Sequence, residues 1–312
     1  NTISSYKITF ILFINFIESE KNISVNRLSL KDITKKCIVE FLDWLQSERK
    51  CSDSTRNVRL AAIHSFFSFL QYDVPENINE WQQILSIRVK KAKKHSMNYL
   101  TIEGIKLLLA QPDLATKKGR RDLVMLALMY DSAARVQESI DLTASSVRLT
   151  KHFTVKLVGK GNKARIVPLM DQEVIHLKDY MERNNLLQSH ANLYPLLYNN
   201  RREKLTRAGV HHILHHYTGM ARKIDQKLIP DKISTHSLRH SKAMHLLQAG
   251  VNLIYIRDIL GHESVQTTEV YARVDSKQKR EAIEKAYADV VKREAPSWTN
   301  NDSLLEWLKS FQ

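Results

Sequence analysis

The sequence predicts a mainly α-helical chain with one small antiparallel β-sheet, divided into two domains. Three observations predict it. Apolar residues recur at helical spacing over most of the 312 residues, β-rich runs are confined to Ser146–Leu169, and a basic run from Arg88 to Lys94 interrupts the helical pattern.

The N-terminal elements follow from their apolar stripes. Tyr6, Phe10, Phe13, Ile14 and Ile17 define a first helix, and Ile38, Phe41, Leu42 and Leu45 a second. A third begins near Ser54 with Leu60, Ile63, Phe67 and Leu70 on one face, and Arg56 and Arg59 are expected on another side. Pro75 breaks the pattern before a short helix around Trp81 to Leu85. Residues 1–87 therefore form a helical bundle. Residues 88–98 form a linker that carries Arg88, Lys90, Lys91, Lys93 and Lys94, with no acid between Trp81 and Tyr99. A solvated spacer and a strap that grips phosphates are both readings of such a run.

The second domain spans 99–295. Thr101 can cap a helix through Leu107 to Leu109, and Leu123 to Tyr130 forms another. Ser146–Leu149, Phe153–Val158 and Ala164–Leu169 are the strands, with Gly159-Lys160-Gly161-Asn162 turning between the last two. After Pro168 helices continue to Val291, with loops near Asn199 and Pro230. Pro296 opens a final segment, 296–312, in which Leu304, Leu305, Trp307, Leu308 and Phe311 crowd one face of a helix too short to stand alone in water.

Charge narrows the function. With 48 Lys+Arg against 33 Asp+Glu the net charge is +15, which points to a polyanionic partner, nucleic acid first. Residues 1–98 hold fifteen basic and ten acidic residues, so most of the excess lies in the second domain. Two cysteines, Cys37 and Cys51, are too few to staple such a chain and fit a reduced cytosolic compartment. The longest apolar-rich stretch, Ile8–Ile17, is too short to span a bilayer.

Two rival sites fail on their own chemistry. His211, His212, His215 and His216 make two i, i+4 pairs, a zinc-binding spacing, but no glutamate follows the first histidine and no cysteine lies nearby. The bland reading is a basic helix face with one pair half-buried. No Gly-x-x-x-x-Gly-Lys-Ser/Thr loop is present for a nucleotide triphosphate. A two-metal transposase would rest on scattered carboxylates.

Four stretches carry the chemistry: Ala134-Arg135-Val136-Gln137-Glu138, Gly159-Lys160-Gly161-Asn162-Lys163, His236-Ser237-Leu238-Arg239-His240, and Leu260-Gly261-His262 followed by Tyr271. Singly each is commonplace. In this order they resemble the tyrosine recombinase (integrase) family over nearly the whole chain. The resemblance implies an N-terminal core-binding (SAM-like) bundle and a mixed α/β catalytic domain that together clamp duplex DNA. It also implies a catalytic set of Arg135, Lys160, His236, Arg239, His262 and Tyr271, with Glu138 matching the acidic residue after the first arginine.

Each residue type suits phosphodiester chemistry. Tyr271 is the expected nucleophile, storing bond energy in a 3′-phosphotyrosyl link so that rejoining requires no ATP. Arg135 and Arg239 clamp the non-bridging oxygens, because planar guanidinium matches phosphate geometry and stays charged. Lys160, by resemblance, protonates the leaving 5′-oxygen. His236 can accept the tyrosine proton and His262 can hydrogen-bond a phosphate oxygen. Lys163 and Arg165 are expected to hold phosphates, joining Arg56, Arg59 and the five linker residues as the DNA-binding set.

The expectation is a site-specific recombinase needing no metal and no nucleotide cofactor. It acts on double-stranded recombination sites as a homotetramer in the synaptic complex, in the cytoplasm with the nucleoid. A mobile-element integrase is the first choice among its biological roles. The final segment is expected to dock on a neighbouring protomer. A type IB topoisomerase and a catalytically silent DNA-binding protein on the same fold are the alternatives.

Overall fold

A computed structural model describes residues 2–92, 97–274 and 309–310. It divides into two compact units, Asn1–Ser96 and Met97–Gln312. The boundary falls inside the expected linker, 88–98, just after the basic run.

The first unit packs four helices, α1 (Thr2–Lys21), α2 (Lys35–Ser47), α3 (Asp53–Asp73) and α4 (Ile78–Leu85). Thr34 and Ser52 start α2 and α3, their hydroxyls accepting from the backbone N–H of Cys37 and Thr55. Phe16, Phe41, Leu60, Ile63, Phe67 and Trp81 are all buried in its core. Trp81 packs 4.9 Å from Phe67, and its indole N–H donates to the Val74 carbonyl at 3.0 Å. Large side chains buried this fully contribute roughly 2–3 kcal/mol each.

The two arginines of α3 depart from expectation. Arg56 lies four residues before Leu60, hence on the same helical stripe as Leu60, Ile63 and Phe67, and is only 4% exposed. Arg59 is half-buried and donates to the Ser5 carbonyl and Thr9 Oγ1 at 3.1 and 3.3 Å, tying α3 to α1. Arg56 therefore offers no solvent-facing guanidinium, and one nitrogen of Arg59 is committed within the bundle.

The second unit contains α5 (Ile102–Leu109), α6 (Lys117–Asp131), α7 (Val136–Ile140), α8 (Asp171–Arg183), α9 (Arg207–Ile224), α10 (Thr235–Gln248), α11 (Leu253–Leu260) and α12 (Val265–Val274). Thr101 caps α5, accepting from the Gly104 N–H at 3.1 Å. Helix α6 buries Leu123, Val124, Met125, Leu126, Leu128 and Met129, so it runs through the core rather than over it.

An antiparallel sheet, β1 (Val147–Arg148), β2 (Thr154–Val158) and β3 (Ala164–Pro168), lies between α7 and α8 in the chain. The first strand is shorter than its β-rich run suggests. Val155 pairs with Val167 and Leu157 with Arg165. Cross-strand partners share a face, and Val155, Leu157 and Val167 are buried. Residues 184–206, expected to be largely helical, are irregular. Asn185 takes a left-handed φ of 57°, and Thr143 and Tyr198 bridge to Pro195 and Lys204.

The final segment with Leu304, Leu305, Trp307, Leu308 and Phe311, and the helix expected beyond Val274, lie outside the described residues. Among the described residues no helix is long and apolar enough to cross a membrane.

Candidate active site

The site is organised around one buried carboxylate. Glu138, in the first turn of α7, accepts from the Arg135 backbone N–H at 2.8 Å and from Arg135 Nη1 at 2.7 Å. It also accepts from Arg165 Nη1 and Nη2 at 3.0 and 2.7 Å. Burial opposes its ionisation, but these hydrogen bonds and the Arg165 charge prevail and hold its pKa at about 2. Arg135 keeps 36% of its side chain exposed, whereas Arg165 keeps 11%. Arg165 also donates from Nε to the Ile259 carbonyl at 2.8 Å. The sequence expectation gives Arg165 a phosphate to hold; it sits instead on the buried face of β3, with each of its three nitrogens bonded within the protein.

Arg239, on α10, is 3% exposed and, among the described residues, bonded to carbonyls alone, those of Ala133 (2.7 Å) and Leu260. Ala133 reaches this position with a left-handed φ of 49°, a conformation costly for a residue with a Cβ. Burial, then Arg135 and Arg165, lower the Arg239 pKa to about 10, so it remains charged at neutral pH. Three guanidinium groups thus gather near one carboxylate, which bonds only Arg135 and Arg165. That arrangement leaves positive charge uncompensated in a partly desolvated place, which suits an anion.

Glycines permit the close approach. Gly261 ends α11 with φ 62°, and a Cβ there would meet Arg165 Cδ and Nη1 at 3.0 Å. Its carbonyl lies 3.4 Å from Arg135 Nη2. A Cβ on Gly159 would stand 3.1 Å from Glu138 Oε1.

Three histidines and a tyrosine complete the cluster. Tyr271 on α12 is 2% exposed, and its Oη lies 2.9 Å from His240 Nδ1. Burial raises the Tyr271 pKa, against the opposing pull of Arg239 and Arg135. Burial, then His236 and Arg239, hold His240 at about 4, so it is neutral. His262 is held at about 4 by burial and then Arg239, Arg135 and Arg165, and its Nδ1 lies 3.0 Å from Thr268 Oγ1. His236 faces solvent; burial and then Arg239 and Arg135 lower its pKa. The expected partner of the tyrosine is His236, but the histidine that touches its hydroxyl is His240, one helical turn further on.

Residues 98–278 match the phage integrase family, and residues 1–75 match the phage integrase N-terminal SAM-like domain. A Sinorhizobium fredii protein carrying the name integrase/recombinase y4rC is 33% identical over 313 aligned residues, covering 100% of this chain and 92% of its own. The tyrosine recombinase XerD of Staphylococcus epidermidis is 32% identical, with 90% of each chain covered. This chain belongs to the tyrosine recombinase (phage integrase) family. Its members are enzymes that cleave and rejoin DNA strands. The fold agrees with solved structures: XerH bound to difH in a post-cleavage complex (TM-score 0.70, 24% identity, 90% of this chain and 79% of that one) and the Tn1549 transposon integrase with transposon right-end DNA (TM-score 0.67, 14% identity, 90% and 99%).

In this recombinase Lys160 is exposed on the β2–β3 turn, which Gly159 N–H closes onto the Lys163 carbonyl at 2.9 Å. Gly161 and Asn162 turn the chain with φ of 73° and 58°. Lys163 pairs with Glu263 at 2.7 Å, both largely exposed. Lys163 and Lys160 together hold the Glu263 carboxyl low, so the turn lies beside His262.

The basic run of the recombinase is partly engaged. Asn57 clasps the Lys90 backbone from both sides, donating to its carbonyl at 2.8 Å and accepting from its N–H at 3.0 Å. Lys90 Nζ donates to Gln46 Oε1 at 2.5 Å. Arg88 and Lys91 are exposed; Lys93 and Lys94 lie outside the described residues. His211, His212, His215 and His216 are all exposed on α9, without the half-buried pair expected. Among the described residues no group of three or more metal-ligating side chains is assembled.

Proposed function

We propose that this recombinase is site-specific and that Tyr271 breaks and remakes the strands. Tyr271 Oη attacks phosphorus, forming a 3′-phosphotyrosyl bond as the bond to the 5′-oxygen breaks. Arg135 and Arg239 bind the non-bridging oxygens, and His262 supports one of them. Lys160, at the tip of a turn, gives a proton to the departing 5′-oxygen. Attack by another strand's 5′-hydroxyl reverses each step without a nucleotide. Removing one such charge-stabilising donor costs roughly a hundredfold to a thousandfold in rate.

The observation that carries this reading is the convergence of Tyr271 with Arg135 and Arg239. Both guanidinium charges bear on its hydroxyl, and both are bonded to the 260–261 turn. Arg239 in particular has no carboxylate among its hydrogen-bond partners within the described residues. A phosphate would supply the missing negative charge.

Two duplex sites and two strands exchanged at each require four protomers, so the working assembly is a homotetramer on double-stranded recombination sites. Covalent capture from a library of random nicked duplexes tests this function. The reading predicts enrichment of one inverted pair of half-sites, as a symmetric protein pair demands. Uniform recovery of sequences, with relaxation of any supercoiled plasmid, would indicate a topoisomerase instead.

A further inference from the structure

We propose that His240 is a catalytic residue, its Nδ1 taking the phenolic proton of Tyr271 during attack and returning it on rejoining. The proposal rests on Tyr271 being the nucleophile. Geometry supports it first. The 2.9 Å separation is direct hydrogen-bond reach, and proton transfer there needs no bridging water. Of the other two histidines, His262 uses Nδ1 on Thr268 and His236 faces solvent. The His236-Ser237-Leu238-Arg239-His240 run thereby divides its labour along α10. His236 is exposed with its ring 6.3 Å from that of His240, Arg239 is fixed to two carbonyls, and His240 is directed to the tyrosine.

The resting protonation state has the right polarity. His236 and Arg239 face His240 and, with burial, keep the imidazole neutral. Taking the phenolic proton requires the tautomer in which the Tyr271 O–H donates to Nδ1 and the imidazole proton resides on Nε2, and the 2.9 Å separation fits it. Transfer in the DNA-free protein is strongly uphill, since it would set an imidazolium in a buried place beside Arg239. A seated phosphodiester adds negative charge at that place and lowers the cost. The base is therefore effective only when substrate is present. The step balances: the Oη–P bond forms, the P–O5′ bond breaks, His240 gains the phenolic proton, and the 5′-oxygen takes one from Lys160. Rejoining returns both.

The test is the single-turnover rate of covalent complex formation on a nicked suicide duplex from pH 6 to 10. His240→Asn keeps an acceptor for the phenol but cannot hold a proton; His240→Phe keeps neither. Both are expected to bind duplex normally and to cleave about a hundredfold more slowly at pH 7. Their rates should rise about tenfold per pH unit as hydroxide substitutes for the base, where wild type is flat. A 5′-bridging phosphorothiolate, whose leaving group needs no proton, should rescue Lys160→Ala and leave His240→Asn slow. Wild-type rate or a flat profile in His240→Asn, or its rescue by the phosphorothiolate, would overturn the assignment. A covalent complex from Tyr271→Phe would instead overturn the nucleophile and leave the role of His240 without its premise.

Discussion

Glu138 and Arg165 form a bidentate pair inside the site, with both carboxylate oxygens engaged, at 3.0 and 2.7 Å. Arg135 holds the same carboxylate from its exposed side. Arg165 thus acts as the support on which Arg135 is aimed. Arg165→Ala should cost about 3 kcal/mol of stability, since it removes two of the four hydrogen bonds that hold a buried carboxylate. The salt dependence of DNA binding should stay unchanged. Chemical denaturation and a salt titration check the two halves; a flatter salt slope would mean that Arg165 holds phosphate after all.

Gly261 carries a second prediction. Its left-handed φ and the 3.0 Å approach to Arg165 leave no room for a methyl group. Gly261→Ala should destabilise the catalytic unit by roughly 1–3 kcal/mol and slow cleavage more than it weakens binding, because Arg135 and His262 shift together. Single-turnover cleavage beside an affinity measurement reads both.

Acid should weaken the fold through His240 and His262. Both are held at about 4, below the ordinary 6.5. The unfolded chain therefore takes up protons that the native state refuses. Stability from this source is complete above about pH 6.5 and is lost as pH falls toward 4, by at most about 1.4 kcal/mol per histidine per unit. His262→Asn should flatten the fall in Tm between pH 7 and 5. An unchanged slope would contradict these depressed values.

The basic run should act as a phosphate strap through members other than Lys90. Neutralising Arg88, Lys91, Lys93 and Lys94 is expected to weaken binding to all sequences alike and to lower the salt slope by about one for each phosphate no longer neutralised. Lys90, engaged by Gln46, should contribute less. Equal effects for Lys90 and Lys91 would contradict the distinction.

The helical stripes of α1 to α3 and the β2–β3 turn are legible in the sequence because they depend on local periodicity. The inward turn of Arg165 is legible too, since Val155, Leu157, Arg165 and Val167 alternate onto one face. Arg56 likewise sits four residues before Leu60. In both cases the charge of the side chain points to DNA while its register points inward, and register prevails. His240 is visible beside Arg239 but carries no distinguishing mark, because its role depends on α12 packing against α10. The irregular 184–206 segment follows from Asn185 and Pro195 and from the bridge of Pro195 to distant Thr143, which no local pattern encodes.

Metal independence follows from the arginine-rich site. Arg135 and Arg239 supply the positive charge that a divalent ion supplies elsewhere, so cleavage should persist in excess EDTA. Loss of cleavage restored by magnesium or manganese would contradict that mechanism.

The central claim, that Tyr271 becomes covalently joined to DNA, can be read directly by mass spectrometry. The trapped complex is digested with nuclease and trypsin, and the peptide bearing the nucleotide is identified. Cleavage after Arg257 and Arg273 isolates Asp258–Arg273, in which Tyr271 is the sole tyrosine. The account predicts a 3′-phosphonucleotide on that peptide and none from Tyr271→Phe. An adduct on the preceding peptide with Tyr255, or on the one with Tyr287, would contradict it.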